Sequence, residues 1–272
     1  MEAPNEIKLG NVQETLLLPL WGRAIETKRQ KPLLVDNTAV SIIDSIPYDF
    51  TTISRNINNL SRLSWIARSI YFDKKIKAFI NVFPEATIVN IGCGLDTTFD
   101  RVDNGKIQWI DLDFPDTIEL RKKYISETER RHFISKSVFD SSWYDMIEKR
   151  NSVMFLIAGV LYYFDETDVR KLLSDFHAFM PGVEIIFDYA SKLGIKLSNK
   201  VVLEKGGMDQ SAHLKWGIDN ILEIEKWYGF IKVISHTPMY KEHKKNYSWM
   251  KRIGMTIADK MKIMSLAHIR ID

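Results

Sequence analysis

The ten residues Val89-Asn90-Ile91-Gly92-Cys93-Gly94-Leu95-Asp96-Thr97-Thr98 constrain the fold more than any other stretch, because a short apolar run ends in Gly-x-Gly and opens into an expected helix. A strand that stops at a sharp turn and passes into a helix N-terminus is the unit with which α/β proteins hold nucleotide-like ligands. The first glycine lets the chain turn off the strand, and the second, having no side chain, lets a ligand lie against bare backbone. A second apolar run, Ile107-Gln108-Trp109-Ile110, ends in Asp111-Leu112-Asp113-Phe114-Pro115. Asp111 and Asp113 follow Gly92 by 19 and 21 positions, near the offset of roughly 20 at which an acidic side chain meets ribose hydroxyls. The pairing implies an adenosine cofactor.

A dinucleotide would place its pyrophosphate on the helix N-terminus and call for a third glycine, but Thr97 stands there and Asp96 occupies the first turn. An aspartate at that point repels a pyrophosphate and tolerates the sulfonium and ammonium of S-adenosylmethionine. The expected cofactor is therefore S-adenosylmethionine rather than NAD, although Asp96 also suits a plain helix N-cap.

From residue 87 onward β-rich runs alternate with helical ones. Strands are expected at 87–91, 107–110, 132–135, 152–157, 183–187 and near 230–236, with helices at 97–103, 115–129, 142–149 and 165–179. Such alternation builds a mostly parallel sheet with helices on both faces. Before it, 13–29, 37–45 and about 57–82 read as helices, forming an N-terminal cap over 1–84 on a core of 85–272. Further helices are expected after 190, ending in one over about 248–267 with Met250, Met255, Met261 and Met264 packed into the core.

Several separate motifs resemble the leucine carboxyl methyltransferase family. They are Asn90 to Phe99, then Asp113-Phe114-Pro115 with Arg121 one helix later, Arg68-Ser69-Ile70-Tyr71-Phe72-Asp73 before the first strand, and Arg23-Ala24-Ile25-Glu26 with Pro32-Leu33-Leu34-Val35-Asp36 near the start. The resemblance covers residues 20 to 190 or so and includes relatives that methylate polyketide carboxyl groups. It implies the Rossmann-like class I methyltransferase fold, with seven strands and a helical cap over the strand C-termini.

The resemblance places Arg68 on the cofactor carboxylate, where a guanidinium binds bidentately, and Asp113 on the ribose with Asp111 beside it. Spacing alone does not choose between the two aspartates. Gly92, Cys93, Gly94 and Asp96 meet the methionine part, with Cys93 a small filler between the glycines. Ser137-Val138 aligns with an Asp-Leu pair that reads the adenine amine in relatives, so either Ser137 or nearby Asp140 takes that bond. Ala158, before Gly159, stands where many relatives have a glutamate in contact with the cofactor.

For the acceptor, Tyr162, Tyr163 and Tyr189 are expected to line the pocket, with core packing as the bland alternative. Arg23 and Lys28 are placed to hold an acidic acceptor, with a solvated turn as the alternative for Lys28. His213 alone among the histidines falls in the acceptor region, and no pair has metal-ligand spacing.

Composition excludes some classes. A net charge of +3 on 272 residues does not suit a nucleic-acid binder. One cysteine rules out an intramolecular disulfide and suits a reducing compartment. The start carries no signal-peptide pattern and no apolar run reaches membrane-span length, so a cytoplasmic protein without membrane partner is expected, with a homodimer open to it. The expected reaction is O-methylation of a small-molecule carboxylate, already ionised at neutral pH and needing no general base. A phenolic acceptor and a cofactor-binding protein without turnover remain the alternatives.

Overall fold

The computed structural model describes residues 11–50, 59–148, 152–200 and 213–272, and side chains from residue 16 onward. Seven strands form one sheet in the order β3-β2-β1-β4-β5-β7-β6. They are β1 (Thr87–Ile91), β2 (Gln108–Asp113), β3 (Arg131–Ser135), β4 (Val153–Ile157), β5 (Glu184–Ala190), β6 (Ile231–Pro238) and β7 (Met264–Ile271). All pairings are parallel except those of β7, which runs antiparallel to both β5 and β6. The strand order reverses between β1 and β4. Their C-terminal ends form the crevice where open α/β sheets bind ligands.

β1 and β4 are buried along their whole length, as expected for strands covered on both faces. On one face α3 (Asn59–Val82) packs Ile66, Phe72, Ile76 and Phe79 against Ile88, Trp109, Met154 and Ile186 of the sheet. The other face carries α6 (Glu166–Phe179), whose Val169, Leu172 and Phe176 join Phe155 and Ile185. Shorter helices α4 (Thr98–Val102), α5 (Pro115–Lys122) and α7 (Lys192–Ser198) follow β1, β2 and β5.

Two further helices, α1 (Asn11–Thr27) and α2 (Asn37–Ser45), pack with each other through Leu17, Leu20, Ala24, Ala39 and Ile42. The same cluster takes in Leu95, Leu120 and Ile125 at the sheet's C-terminal end. Thus α1 and α2 cover the loop after β1, whereas α3, expected in the cap, lies along the sheet.

Three expectations are corrected. The helix expected over 115–129 stops at Lys122. The stretch 142–149 is a 3-10 turn over Ser141–Met146. The last helix, α8 (Trp249–Lys260), stops before 261, and after a turn over 261–263 the chain enters β7. Lys262 makes the break with a left-handed φ of 50°, a conformation uncommon outside glycine. Of the four methionines, Met255 is buried in the core, Met250 and Met261 are exposed, and Met264 belongs to β7. Residues 57–58, 149 and 201–212 of the expected helices lie outside the described residues.

Candidate functional site

At the end of β1 the ladder continues for two residues, with the Gly92 and Cys93 amides donating to the Leu112 carbonyl at 2.8 and 3.3 Å. Gly92 then turns the chain with a φ of +66°. A Cβ there would sit 2.4 Å from Cγ2 of Val160 in the loop after β4. Glycine is required twice at this position, for the dihedral and for the close approach of two strand ends. Gly94, with a φ of +47°, faces not open space but Leu16 of α1, 2.8 Å from where its Cβ would be. Its bare backbone makes room for the cap. Cys93 is buried, and burial pushes its thiol pKa well up, so it is an uncharged filler.

The two aspartates that spacing did not separate are separated by their surroundings. Asp111 is fully buried. Its Oδ1 accepts from Asn90 Nδ2 at 3.0 Å and Trp109 Nε1 at 2.9 Å, and its Oδ2 from Arg121 Nη2 at 2.8 Å and Arg131 Nε at 2.9 Å. With four donors on two oxygens it has no capacity left for a ribose, so its place is inside the fold. Asp113 is only partly buried and lies at the loop, its Oδ2 accepting from the Gly94 amide and its Oδ1 from the Phe114 amide, both at 2.8 Å. Burial raises its pKa, and the amide donations oppose that shift.

Arg121, fully buried on α5, also donates to the carbonyls of Gly94 at 2.7 Å and Asp96 at 2.8 Å. It therefore fixes the loop from within.

On the cap side Arg23, expected at the acceptor, is drawn into a buried ionic network. Asp36, the N-cap of α2, accepts on Oδ2 from Arg23 Nε at 2.8 Å, Arg101 Nη1 at 2.7 Å and Thr97 Oγ1 at 2.6 Å. Arg101 also holds Asp73 of α3 at 2.8 Å. Arg23 Nη2 lies 3.8 Å from Asp96 Oδ1, and Asp96 Oδ2 accepts from the Thr98 amide at 2.9 Å. Arg23 is thus committed to tying α1 and α2 to the glycine loop. Lys28 sits on the surface, paired with Asp44 at 2.7 Å, both side chains about half exposed. Arg23 is thus not free to hold an acceptor, and Lys28 lies on the surface as its alternative reading, a solvated turn, expected.

Opposite the loop, Arg68 of α3 reaches the ends of β4 and β5. Its Nη1 donates to Asp188 Oδ2 at 2.8 Å, while Asp188 Oδ1 accepts from the Gly159 amide at 2.6 Å. Burial opposes the guanidinium charge, but Asp188 and Tyr162 outweigh it and raise the Arg68 pKa. Burial and then the Asp188 charge push the Tyr162 hydroxyl well above its ordinary pKa, so it keeps its proton. Tyr162 and Tyr163 form a tilted pair with ring centroids 5.3 Å apart on the 3-10 turn after β4. Tyr189 is buried in the core on the far side of Asp188 in β5. Ala158 packs, partly buried, against the α3 side of the sheet.

Ser137 and Val138 follow β3. Ser137 Oγ accepts from the Phe139 amide at 3.3 Å, and Val138 is buried with its carbonyl accepting from Trp143 Nε1 at 3.0 Å. Asp140 caps the next turn through the Ser142 amide at 3.0 Å and also bonds Lys136. Ser137 is thus the less engaged of the two side chains. His213 is exposed, in a segment that docks by Lys215 and Trp216 amides on the Tyr162 carbonyl at 2.6 and 3.2 Å. Among the described residues no group of three or more His, Cys, Asp or Glu could hold a metal, and no helix is long and apolar enough to cross a membrane.

Asp188 escaped the sequence reading although a signal existed. A lone carboxylate inside the apolar run Ile185-Ile186-Phe187 needs a partner.

Comparison with known proteins places this geometry. The profile of the family described as leucine carboxyl methyltransferase matches residues 17–177, more than half of the chain. The chain belongs to the leucine carboxyl methyltransferase family. It is a methyltransferase with S-adenosylmethionine as methyl donor. The chain is 29% identical over 220 residues, 80% of each protein, to the tetracenomycin polyketide synthesis O-methyltransferase TcmP of Streptomyces glaucescens. It is 25% identical over 276 residues to the S-adenosyl-L-methionine-dependent methyltransferase dpfgK of Gibberella zeae, covering 93% of this chain and 92% of that one. Among solved structures, the plantazolicin methyltransferase BpumL in complex with SAH superposes with a TM-score of 0.50 at 12% identity, over 97% of this chain and all of that one. That likeness speaks for the fold, the class I methyltransferase architecture expected from the sequence.

Proposed function

We propose that this member of the leucine carboxyl methyltransferase family methylates a carboxylate of a small molecule of polyketide type. The similarity to TcmP, a tetracenomycin polyketide synthesis O-methyltransferase, supports the acceptor class. The observation that carries the reading is that the buried ionisable groups of the described site offer no free base. Tyr162 and Cys93 hold their protons, and Asp111 and Asp188 are fully buried with their oxygens occupied. A phenol would call for proton removal; a carboxylate does not.

The residues present fit the methyl donor. Arg68 suits its amino-acid carboxylate, the backbone from Gly92 to Gly94 its thioether arm, Asp113 the ribose, and Ser137 with Val138 the adenine. When bound, S-adenosylmethionine supplies an electrophilic methyl group on a sulfonium. The chain's part is alignment and exclusion of water: α1 closes over the loop through Leu16, and Tyr162 with Tyr163 covers the end of β4. Holding two reactants in line is worth about 7 kcal/mol or more of the barrier, and a dry site keeps the carboxylate from being solvated away from the methyl group.

The test is incubation with methyl-labelled S-adenosylmethionine and paired carboxylic acids and phenols of aromatic polyketide type, followed by mild alkali. Label released as methanol marks an ester and supports the reading. Label that survives alkali marks an ether and replaces it with phenolic methylation. No transfer to either class would favour a cofactor-binding protein without turnover.

A further inference from the structure

Three segments far apart in sequence meet at Asp188. It lies fully buried on β5, one oxygen on Nη1 of Arg68 from α3 and the other on the amide of Gly159 after β4. Gly159 has a φ of +78°, and a Cβ there would lie 2.8 Å from Arg68 Nη1 and 3.1 Å from Tyr162 Oη. Arg68 and Tyr162 therefore occupy the space that a side chain at 159 would fill, and the guanidinium is held on one side by Asp188 and packed on another against bare backbone.

A buried ion pair is a poor source of stability, since an apolar pair of similar volume does as well or better. What such a pair does add is orientation. A guanidinium is a planar fork, and fixing one nitrogen in a bond to Asp188 sets the direction of the remaining donors. Asp188 itself, unlike Asp113, is fully buried as well as engaged at both oxygens, so it acts through Arg68 and not on the ligand. The Arg68–Asp188 pair is also electrically neutral, as is the ammonium-carboxylate end of the cofactor. Their union buries no unbalanced charge.

We propose that Asp188 is a positioning residue for the methyl donor: by binding Arg68 and the Gly159 amide together, it aims the guanidinium at the donor's amino-acid carboxylate. This rests on the reading of Arg68 given under Proposed function. It also assigns to a neighbouring strand the task of ordering the β4 end, where Ala158 carries no acid of its own.

The experiment is titration of the full chain with S-adenosylhomocysteine and with 5′-methylthioadenosine, which shares the adenosine and thioether but lacks the amino-acid group. Asp188→Asn keeps the size and one acceptor, and is expected to weaken S-adenosylhomocysteine by about tenfold or more while leaving methylthioadenosine within about twofold. A merely structural role would weaken both ligands, and that result, or an unchanged affinity for both, overturns the proposal.

Because Asp188→Asn leaves a buried guanidinium without its counter-charge, the variant Arg68→Gln/Asp188→Asn, which removes both charges, is the second arm. It should bind S-adenosylhomocysteine as Arg68→Gln alone does, within about twofold, because a residue acting only through Arg68 has nothing left to position. A further tenfold loss overturns the proposal. If Arg68→Gln leaves S-adenosylhomocysteine binding unchanged, the reading of Arg68 itself falls. If Arg68→Gln weakens it and Asp188→Asn does not, only the positioning role falls.

Discussion

Asp111 and Arg121 form a fully buried ion pair against the glycine loop, with 2.8 Å between Oδ2 and Nη2, and the same guanidinium grips the loop carbonyls of Gly94 and Asp96. The pair couples the first two strands to the glycine turn. Removing one partner of a buried pair strands the other, at a cost of about 3–5 kcal/mol. Arg121→Met is therefore expected to lower unfolding stability by that amount in urea denaturation. An effect under about 1 kcal/mol would mean that Arg131, Asn90 and Trp109 suffice to hold Asp111.

Asp113 should behave in the opposite way. It is only partly buried and its bonds are to two backbone amides at the loop, so Asp113→Ala is expected to cost at most about 1–2 kcal/mol of stability. Calorimetric titration should show S-adenosylhomocysteine binding reduced about a hundredfold, from loss of two charge-assisted bonds. Retained binding in a folded Asp113→Ala protein would remove this residue from the ribose.

The contrast between these aspartates shows where sequence stops. The strand ending at Gly92 and the acidic pair some twenty residues on were legible, as were six of the seven strands, because apolar runs bounded by turn residues report burial directly. Which aspartate faces outward depends on Arg121 and Arg131, which arrive from α5 and β3 and leave no local mark. Arg23 read as a ligand holder because its partner Asp36 is brought close only by the α1–α2 packing. β7 was hidden by its composition: Met264, Leu266 and Ala267 continue the pattern of the preceding helix, and the break falls on a lysine with positive φ instead of a glycine or proline.

Gly92 makes a sharper test of the loop. Alanine there faces both a φ of +66° and a methyl of Val160 at 2.4 Å. The dihedral alone costs about 1–2 kcal/mol, and overpacking adds about 1–3 kcal/mol. Gly92→Ala should lower stability by the sum of the two, and Val160→Ala in the same chain should restore the packing part while the dihedral part persists. Full additivity of the two substitutions in chemical denaturation would show that the strand ends do not touch.

Asp96 gives a pH dependence with a definite sign. Burial opposes its charge, but Arg23, Arg101 and the Thr98 hydrogen bonds outweigh it and hold its pKa at about 2. A carboxylate depressed from 3.8 in the folded state contributes stability that is present above pH 4 and lost as pH falls toward 2. The shift corresponds to roughly 2 kcal/mol. Asp36, also lowered although burial is the largest single influence on it, adds in the same direction. Asp96→Asn should therefore be less stable than the parent at pH 7, with a shallower decline between pH 4 and 2. Parallel stability-pH curves for the two proteins would show that Asp96 does not carry the effect.

If the acceptor is a carboxylate, as proposed, no general base is needed, and this predicts the shape of the rate profile. Within the described site, Asp96 titrates near pH 2, while the Tyr162 hydroxyl and Cys93 thiol are held well above their ordinary values, so none of these groups changes charge between pH 6 and 9. A carboxylic acid acceptor, with a pKa of about 4, is ionised throughout that window. kcat/KM should then be flat across it, within about twofold, and His213→Ala should leave the plateau in place. Were the acceptor a phenol, the rate would climb about tenfold per pH unit toward its pKa of about 10, or would fall in His213→Ala were that histidine the base. A flat profile in parent and variant alike leaves alignment, and not proton transfer, as the work of the chain.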